Sequence, residues 1–176
     1  MRPAFQLQTV IKAMTDVVLP AVDPANKLAQ EQAQLVVGML SLLLQRLPLQ
    51  YRYDRDELQR YLQLARELSA VRGGAQTQAA LADLSAGAAA GAGVLQRAAA
   101  DPAELEAAVL ELRAKVGELI GAANADGEPA SLPGLQRSVL AAAKVQTARE
   151  RAWLAPTGFE ADPKSITPIE RQLSSD

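Results

Sequence analysis

Two stretches of the chain hold residue types and spacings that could do chemistry. The segment YRYDRDELQRY, residues 51–61, contains all three tyrosines together with Arg52, Arg55 and Arg60. Aromatic rings interleaved with guanidinium groups can stack bases and hold phosphates. Asp54, Asp56 and Glu57 interrupt that basic run, and Asp56 and Arg60 stand four apart as an ordinary helical ion pair. The segment therefore reads as a solvated, internally paired loop and helix start, and no nucleic-acid partner is expected. Tyr and Arg are also the residues enriched at protein interfaces. Tyr51, Arg52, Tyr53 and Arg55 are accordingly the first candidate contact residues.

The second stretch, LSAGAAAGAGVL at residues 84–95, is almost entirely Ala and Gly. A phosphate-binding loop would need glycines between a strand and a helix, followed by Lys and then Ser or Thr. Gly87, Gly91 and Gly93 have neither the Lys nor a strand before them. Asp83 and Gln96-Arg97 bracket only twelve small or apolar residues, too few to cross a bilayer. What remains is a small-xxx-small spacing at Gly87 and Gly91 that lets another backbone approach. Three interior helical glycines cost about 0.8–1 kcal/mol each relative to Ala, so close packing is expected to offset roughly 2–3 kcal/mol. The neighbour is either a helix of the same bundle or another subunit, which makes these three glycines the second set of candidate contact residues.

Beyond these stretches the chemical repertoire is narrow. Among 176 residues there is no Cys and no His, which removes the thiolate nucleophile, the imidazole base and the usual soft metal ligands. Acid–base work by carboxylates alone stays open in principle, and Asp83, between Leu81 and Leu84, is the one acid set in an apolar helical run. It is expected to point to solvent or pair with an Arg. No catalytic residue, cofactor or metal is therefore assigned, and the chain is expected not to be an enzyme. The absence of disulfides and of an uninterrupted apolar leader in MRPAFQLQTVIKAMTD suits a cytoplasmic protein. A net charge of −2 gives no global attraction to nucleic acid or anionic lipid.

The elements that must position these residues are helices. Hydrophobic residues make up 49% of the chain but aromatics only 3%, and 35 residues are Ala, a balance that favours helix over strand. Leu7, Ile11, Met14, Val18 and Val22 predict a first helix over residues 3–22 that Pro20 kinks or ends. Asp23-Pro24 predicts the cap of a second helix burying Leu28, Leu35, Val36, Met39, Leu40, Leu43 and Leu47, with Pro48 closing it. The apolar run LVVGMLSLLL, residues 35–44, is half the length a membrane span needs and reads as a buried helix. Asp54 is the expected cap of a third helix with Leu58, Tyr61, Leu62, Ala65 and Leu68 inward, stopped at Gly73-Gly74. A fourth covers about residues 76–99. Asp101-Pro102-Ala103-Glu104 predicts a capping box, opening a fifth helix with a Leu105, Val109, Leu112, Val116 and Leu119 seam. A loop at 124–131 precedes a last helix over 132–154, with Leu135, Val139, Ala142, Val145, Ala148 and Ala152 on one face.

The expected fold is thus all-α: a single-domain, mostly antiparallel bundle of five or six helices over residues 1–154. Residues 155–176 form an extended tail, with Thr167-Pro168 opening a short terminal helix. Trp153, at the end of the last helix, and Phe159, Ile169 and Leu173, in that polar, Pro-rich tail, are large apolar anchors for the protein's own bundle or for a neighbour, and complete the candidate contact residues. The expected function is that of a non-enzymatic helical accessory or interaction protein that self-associates or binds a partner protein. The alternative is a binder of an apolar ligand or of a lipid or granule surface, with residues 35–44 lining a pocket. No integral membrane segment is expected.

Overall fold

In a computed structural model of the chain, residues 2–97, 99–158 and 160–173 are described. The protein is all-α. Among the described residues the only β-type pairing is an isolated bridge between Gly73 and Gly127. The helices are α1 (Pro3–Ala13), α2 (Leu19–Ala21), α3 (Lys27–Arg46), α4 (Gln50–Leu68), α5 (Ala75–Gln96), α6 (Pro102–Asp126), α7 (Leu132–Leu154) and α8 (Ile169–Gln172). Contacts group the chain into two compact units, one drawn from residues 1–50 and 149–172, the other from 51–148 and 173–176.

The second unit holds the main core. Leu105, Val109, Leu112, Val116 and Leu119 of α6 are all buried, as their spacing predicts. They meet Leu58, Leu62, Ala65 and Leu68 of α4, Leu84 of α5 and Leu135 of α7. Each fully buried Leu contributes about 1.5–3 kcal/mol of transfer free energy. The capping box forms as expected: Asp101 Oδ1 accepts from the Ala103 N–H at 2.8 Å, and Glu104 Oε2 accepts from the Asp101 N–H at 3.1 Å.

The N-terminus of α5 is capped from a distance. It has no acceptor side chain of its own at Gly74. Instead the Asp126 carboxylate, in the last turn of α6, accepts from the Gln76 N–H at 2.8 Å, the Thr77 N–H at 3.0 Å and the Thr77 hydroxyl at 2.5 Å. The start of α5 therefore sits at the end of α6, and the two helices run antiparallel. The Gly73–Gly127 bridge lies beside this cap, where a Cβ on Gly73 would fall 2.8 Å from the Gly127 Cα. Only glycine allows so close a crossing. The expected role of Gly73-Gly74 as the stop of the preceding helix is corrected here, because α4 already ends at Leu68.

The first unit is built differently. Helix α1 packs along α3 and passes through a π-helical turn, Met14–Val18, into α2. The Leu19 N–H reaches back to the Met14 carbonyl. Pro20 explains the wide turn: its ring cannot donate to Asp16 and would clash with that carbonyl in a regular helix. Pro20 is thus absorbed rather than terminal. Asn26, not Asp23, caps α3, its Oδ1 accepting from the Ala29 N–H at 3.0 Å. Asp23 closes a local turn on the Ala25 N–H instead.

Further boundaries shift for similar reasons. Pro48 lies within a single 3-10 turn, Leu47–Leu49, that leads straight into α4. Asp54 consequently sits inside a helix that starts at Gln50, and does not cap one. Helix α6 continues through Asn124, Ala125 and Asp126, three residues expected in the loop. Beyond α7 the tail comprises two short 3-10 turns and α8, with Ile169 buried.

Arg46 organises the C-terminal part of the first unit. Its guanidinium donates to the Trp153 carbonyl at 2.9 Å and the Ala152 carbonyl at 3.0 Å, caps the end of α7, pairs with Glu170 at 3.3 Å and lies 5.5 Å from the Trp153 ring centroid. One buried side chain thereby joins α3, α7 and α8.

Candidate functional site

The residues singled out in the sequence do not converge on one place. Tyr53 is buried and Tyr51 and Arg52 are half-buried, all three in the first turn of α4. The Arg55 guanidinium donates to the Leu95 carbonyl at 3.1 Å, capping the last turn of α5, and lies 5.9 Å from the Tyr51 ring. This segment is therefore helical and largely inward, where a solvated loop and helix start was expected.

Its acids are inward too. Asp56 is 3% exposed and pairs with Arg60 at 2.7 Å. Glu57 accepts from Arg113 at 3.1 Å and from Gln146 at 3.0 Å, and Arg113 also donates to the Tyr61 hydroxyl at 3.0 Å. Burying a carboxylate without a partner costs several kcal/mol, and these guanidinium contacts offset that cost. The cluster is a polar layer holding α4, α6 and α7 together within the second unit. Asp83, the acid that stood out in the sequence, is exposed. Among the described residues no three metal-ligating side chains group together.

The small-residue face of α5 is covered by its own unit. Thr77, Leu84, Gly87 and Gly91 form its buried stripe. A Cβ on Gly91 would meet Leu58, Leu112 and Leu62 methyls at 3.4–3.6 Å, while one on Gly87 would collide with the Lys115 stem at 2.7 Å. Gly93 faces open space. Of the tail anchors, Ile169 and Leu173 are buried, Trp153 is half-buried beneath Arg46, and Phe159 lies outside the described residues.

The surface that most departs from expectation is the N-terminal hairpin. Of fourteen exposed large hydrophobic residues among those described, ten lie before residue 50. Six of them, Leu28, Leu35, Val36, Met39, Leu43 and Leu47, belong to α3 or the turn that follows it, with exposures from 41% to 67%. On a helical wheel they share one arc of about 120°, while Ala33, Val37, Leu40 and Leu44 occupy the next arc. The second arc is half-buried. The prediction that all seven apolar residues of this helix are buried is thus corrected: Leu40 is half-covered and the other six are open. Helix α3 thus carries more apolar surface than its neighbours in the first unit cover.

Between Leu28 and Leu47 the ionisable side chains are Glu31 and Arg46, and Arg46, on the bearing of the arc, is buried in its contacts with Trp153, Ala152 and Glu170. Glutamines flank the stripe, and Gln32 and Gln34 join Glu31, Leu35, Gly38, Met39 and Thr157 around a half-open groove. Val10 of α1 and Val17 of the π-helical turn are likewise exposed, and Lys12 pairs with Asp16 beside them. The Asp16 carboxylate accepts a hydrogen bond from the Lys12 ammonium and holds its pKa above the usual value. Such a surface offers shape and apolar contact, with amides at its rim to fix orientation.

The width of the apolar pattern was the sequence signal for this face. Apolar side chains cover more than half the circumference of residues 28–47, more than one neighbouring helix can bury. No helix among the described residues is long and apolar enough to cross a membrane. No protein-family model, no curated protein and no solved structure matches the chain.

Proposed function

We propose that the protein is a non-enzymatic helical interaction module that works by docking a protein helix onto the exposed face of α3. The observation that carries this reading is the concentration of ten exposed large apolar side chains in the first 50 residues. Large contiguous apolar patches on a folded protein mark interaction surfaces. A stripe at positions 28, 35, 39 and 43, with 36 and 47 beside it, has the spacing by which one helix reads another. The contact lies in the first unit.

The alternative, an apolar ligand or lipid surface, rests on the groove beside Leu35 and Met39. That groove is open and three of its seven lining side chains are glutamine or glutamate, whereas small-molecule sites bury most of their ligand's surface. Docking of a helix fits it better.

The test is photo-crosslinking in cells, with a photoreactive amino acid placed at Met39 and, as control, at Leu110 of α6. Protein adducts at position 39 and none at position 110 are the expected result. Lipid-only adducts at 39 would replace this reading with the alternative, and no adduct at all would refute both.

A further inference from the structure

We infer, resting on the docking reading above, that the C-terminal tail is a displaceable strap. It closes the second half of a docking seam on α3, and a helix that docks along the whole seam takes its place.

The seam is written in the spacing of α3. Leu28, Gln32, Leu35, Met39, Leu42 and Arg46 follow one another at intervals of four, three, four, three and four, the alternation by which two helices interlock. At about 100° per residue they fall within about 80° of one another around the helix. The first four positions are exposed, whereas Leu42 is 5% and Arg46 8% exposed. One bearing of the helix is thus open over the first part of the seam and shut over the last.

The end of the chain lies where the seam is shut. The turn Ala155–Thr157 packs on α3, and Thr157 borders the groove beside Leu35, Gly38 and Met39. Farther along, Arg46 donates to the carbonyls of Ala152 and Trp153 and pairs with Glu170 of α8. Leu42 stands between these two contacts, three residues after Met39 and four before Arg46. All of these residues belong to the first unit.

The tail is held lightly. Helix α8 has four residues, too few to stand as a helix by itself. Ile169 anchors it at 1% exposure, but Glu170, at 52%, meets Arg46 half in water, where an ion pair contributes little. If α8 departs, Arg46 keeps both carbonyl acceptors at the end of α7, and α7 stays joined to α3. The tail can therefore open without unfolding the helices beneath it. A docking helix that covers Leu42 regains the apolar burial that opening gives up, and this differential contact is what lets docking favour the open form.

The absence of cysteine lets one introduced thiol report the opening. In the full-length protein, Leu42→Cys and, as a control in the main core, Leu62→Cys are labelled with a thiol reagent under native conditions, with circular dichroism showing each variant folded. Position 42 should react about 100-fold or more faster than position 62. Ile169→Ala should speed position 42 by about 30-fold or more, the milder Glu170→Gln by up to about 5-fold, and neither should move position 62 by more than about 2-fold. In cells, both tail variants should raise the yield of protein adducts at a photoreactive residue placed at Met39. Equal labelling at 42 and 62, or tail variants that speed both positions alike or neither, would overturn the strap. Adducts at 39 that stay constant while the tail variants speed labelling at 42 would overturn displacement and leave the docking face intact. No adducts at 39 in parent or variants would refute the docking reading, and displacement with it, whatever the labelling shows.

Discussion

Replacing each glycine of the α5 face by alanine in turn gives a graded prediction that the geometry sets in advance. Any Gly→Ala change inside a helix gains about 0.8–1 kcal/mol of backbone propensity. At Gly93, where a Cβ touches nothing within 4 Å, that gain should appear whole. At Gly91 the new methyl meets three leucine methyls at 3.4–3.6 Å, ordinary contact distance. Burial adds to propensity there, for a total of about 1–1.5 kcal/mol. At Gly87 the methyl would displace the Lys115 stem from 2.7 Å and disturb its pairing with Glu111 at 3.6 Å. The exposed pair is worth less than about 1 kcal/mol, so the net change at Gly87 should lie within about 0.5 kcal/mol of zero. Urea unfolding read by circular dichroism would rank them Gly91, Gly93, Gly87, with each kcal/mol moving the thermal midpoint by roughly 2–4 °C. Gly91→Leu supplies the opposite limit, overpacking against Leu58 and Leu112 at a cost of about 1–3 kcal/mol. A destabilising Gly91→Ala would mean the helices approach more closely than described. A neutral Gly91→Leu would mean that no neighbour fills that side.

Three further outcomes follow from other contacts. Arg46→Met should destabilise by about 2–4 kcal/mol in urea unfolding, since it strips two charged hydrogen bonds from the end of α7, and Arg46→Lys should not restore them because an ammonium lacks the planar fork. The Asp126 carboxyl is held below its ordinary value of 3.8, first by the Thr77 hydroxyl and then by the Gln76 and Thr77 amides. Its stabilisation is therefore complete above that value and is lost as pH falls through the lower folded value, so Asp126→Asn should flatten the acid limb of the stability–pH curve and lower stability at neutral pH. Asp101→Ala should cost about 1 kcal/mol through loss of the α6 cap, measured by the same unfolding, and the loss should be smaller in Asp101→Ser.

The helical class and the α6 seam were legible because they rest on local rules. Leu105 to Leu119 alternate by four and three, and Asp101 and Glu104 sit where a capping box needs them. What the sequence concealed depends on partners distant in the chain. Asp126 caps α5 from roughly fifty residues away, so Gly73-Gly74 looked like a stop when it is a crossing. Arg55 and Glu57 looked solvated, yet their partners Leu95, Arg113 and Gln146 are far along the chain. The open face of α3 was concealed differently. A run such as LVVGMLSLLL suits burial equally well whether the covering surface is in the same chain or another, and periodicity alone records only that a cover is wanted.

The wide turn at Met14–Val18 also fixes an orientation. A π turn holds one residue more than the regular helix it interrupts, and each residue advances a helix by about 100°. Excising a single residue there would swing everything upstream through that angle, turning the half-buried Leu7 and Ile11 and the exposed Val10 to new bearings. The N-terminal segment thus keeps its rotational setting by one surplus amino acid, with Pro20 as the lock that stops the extra residue from being annealed away.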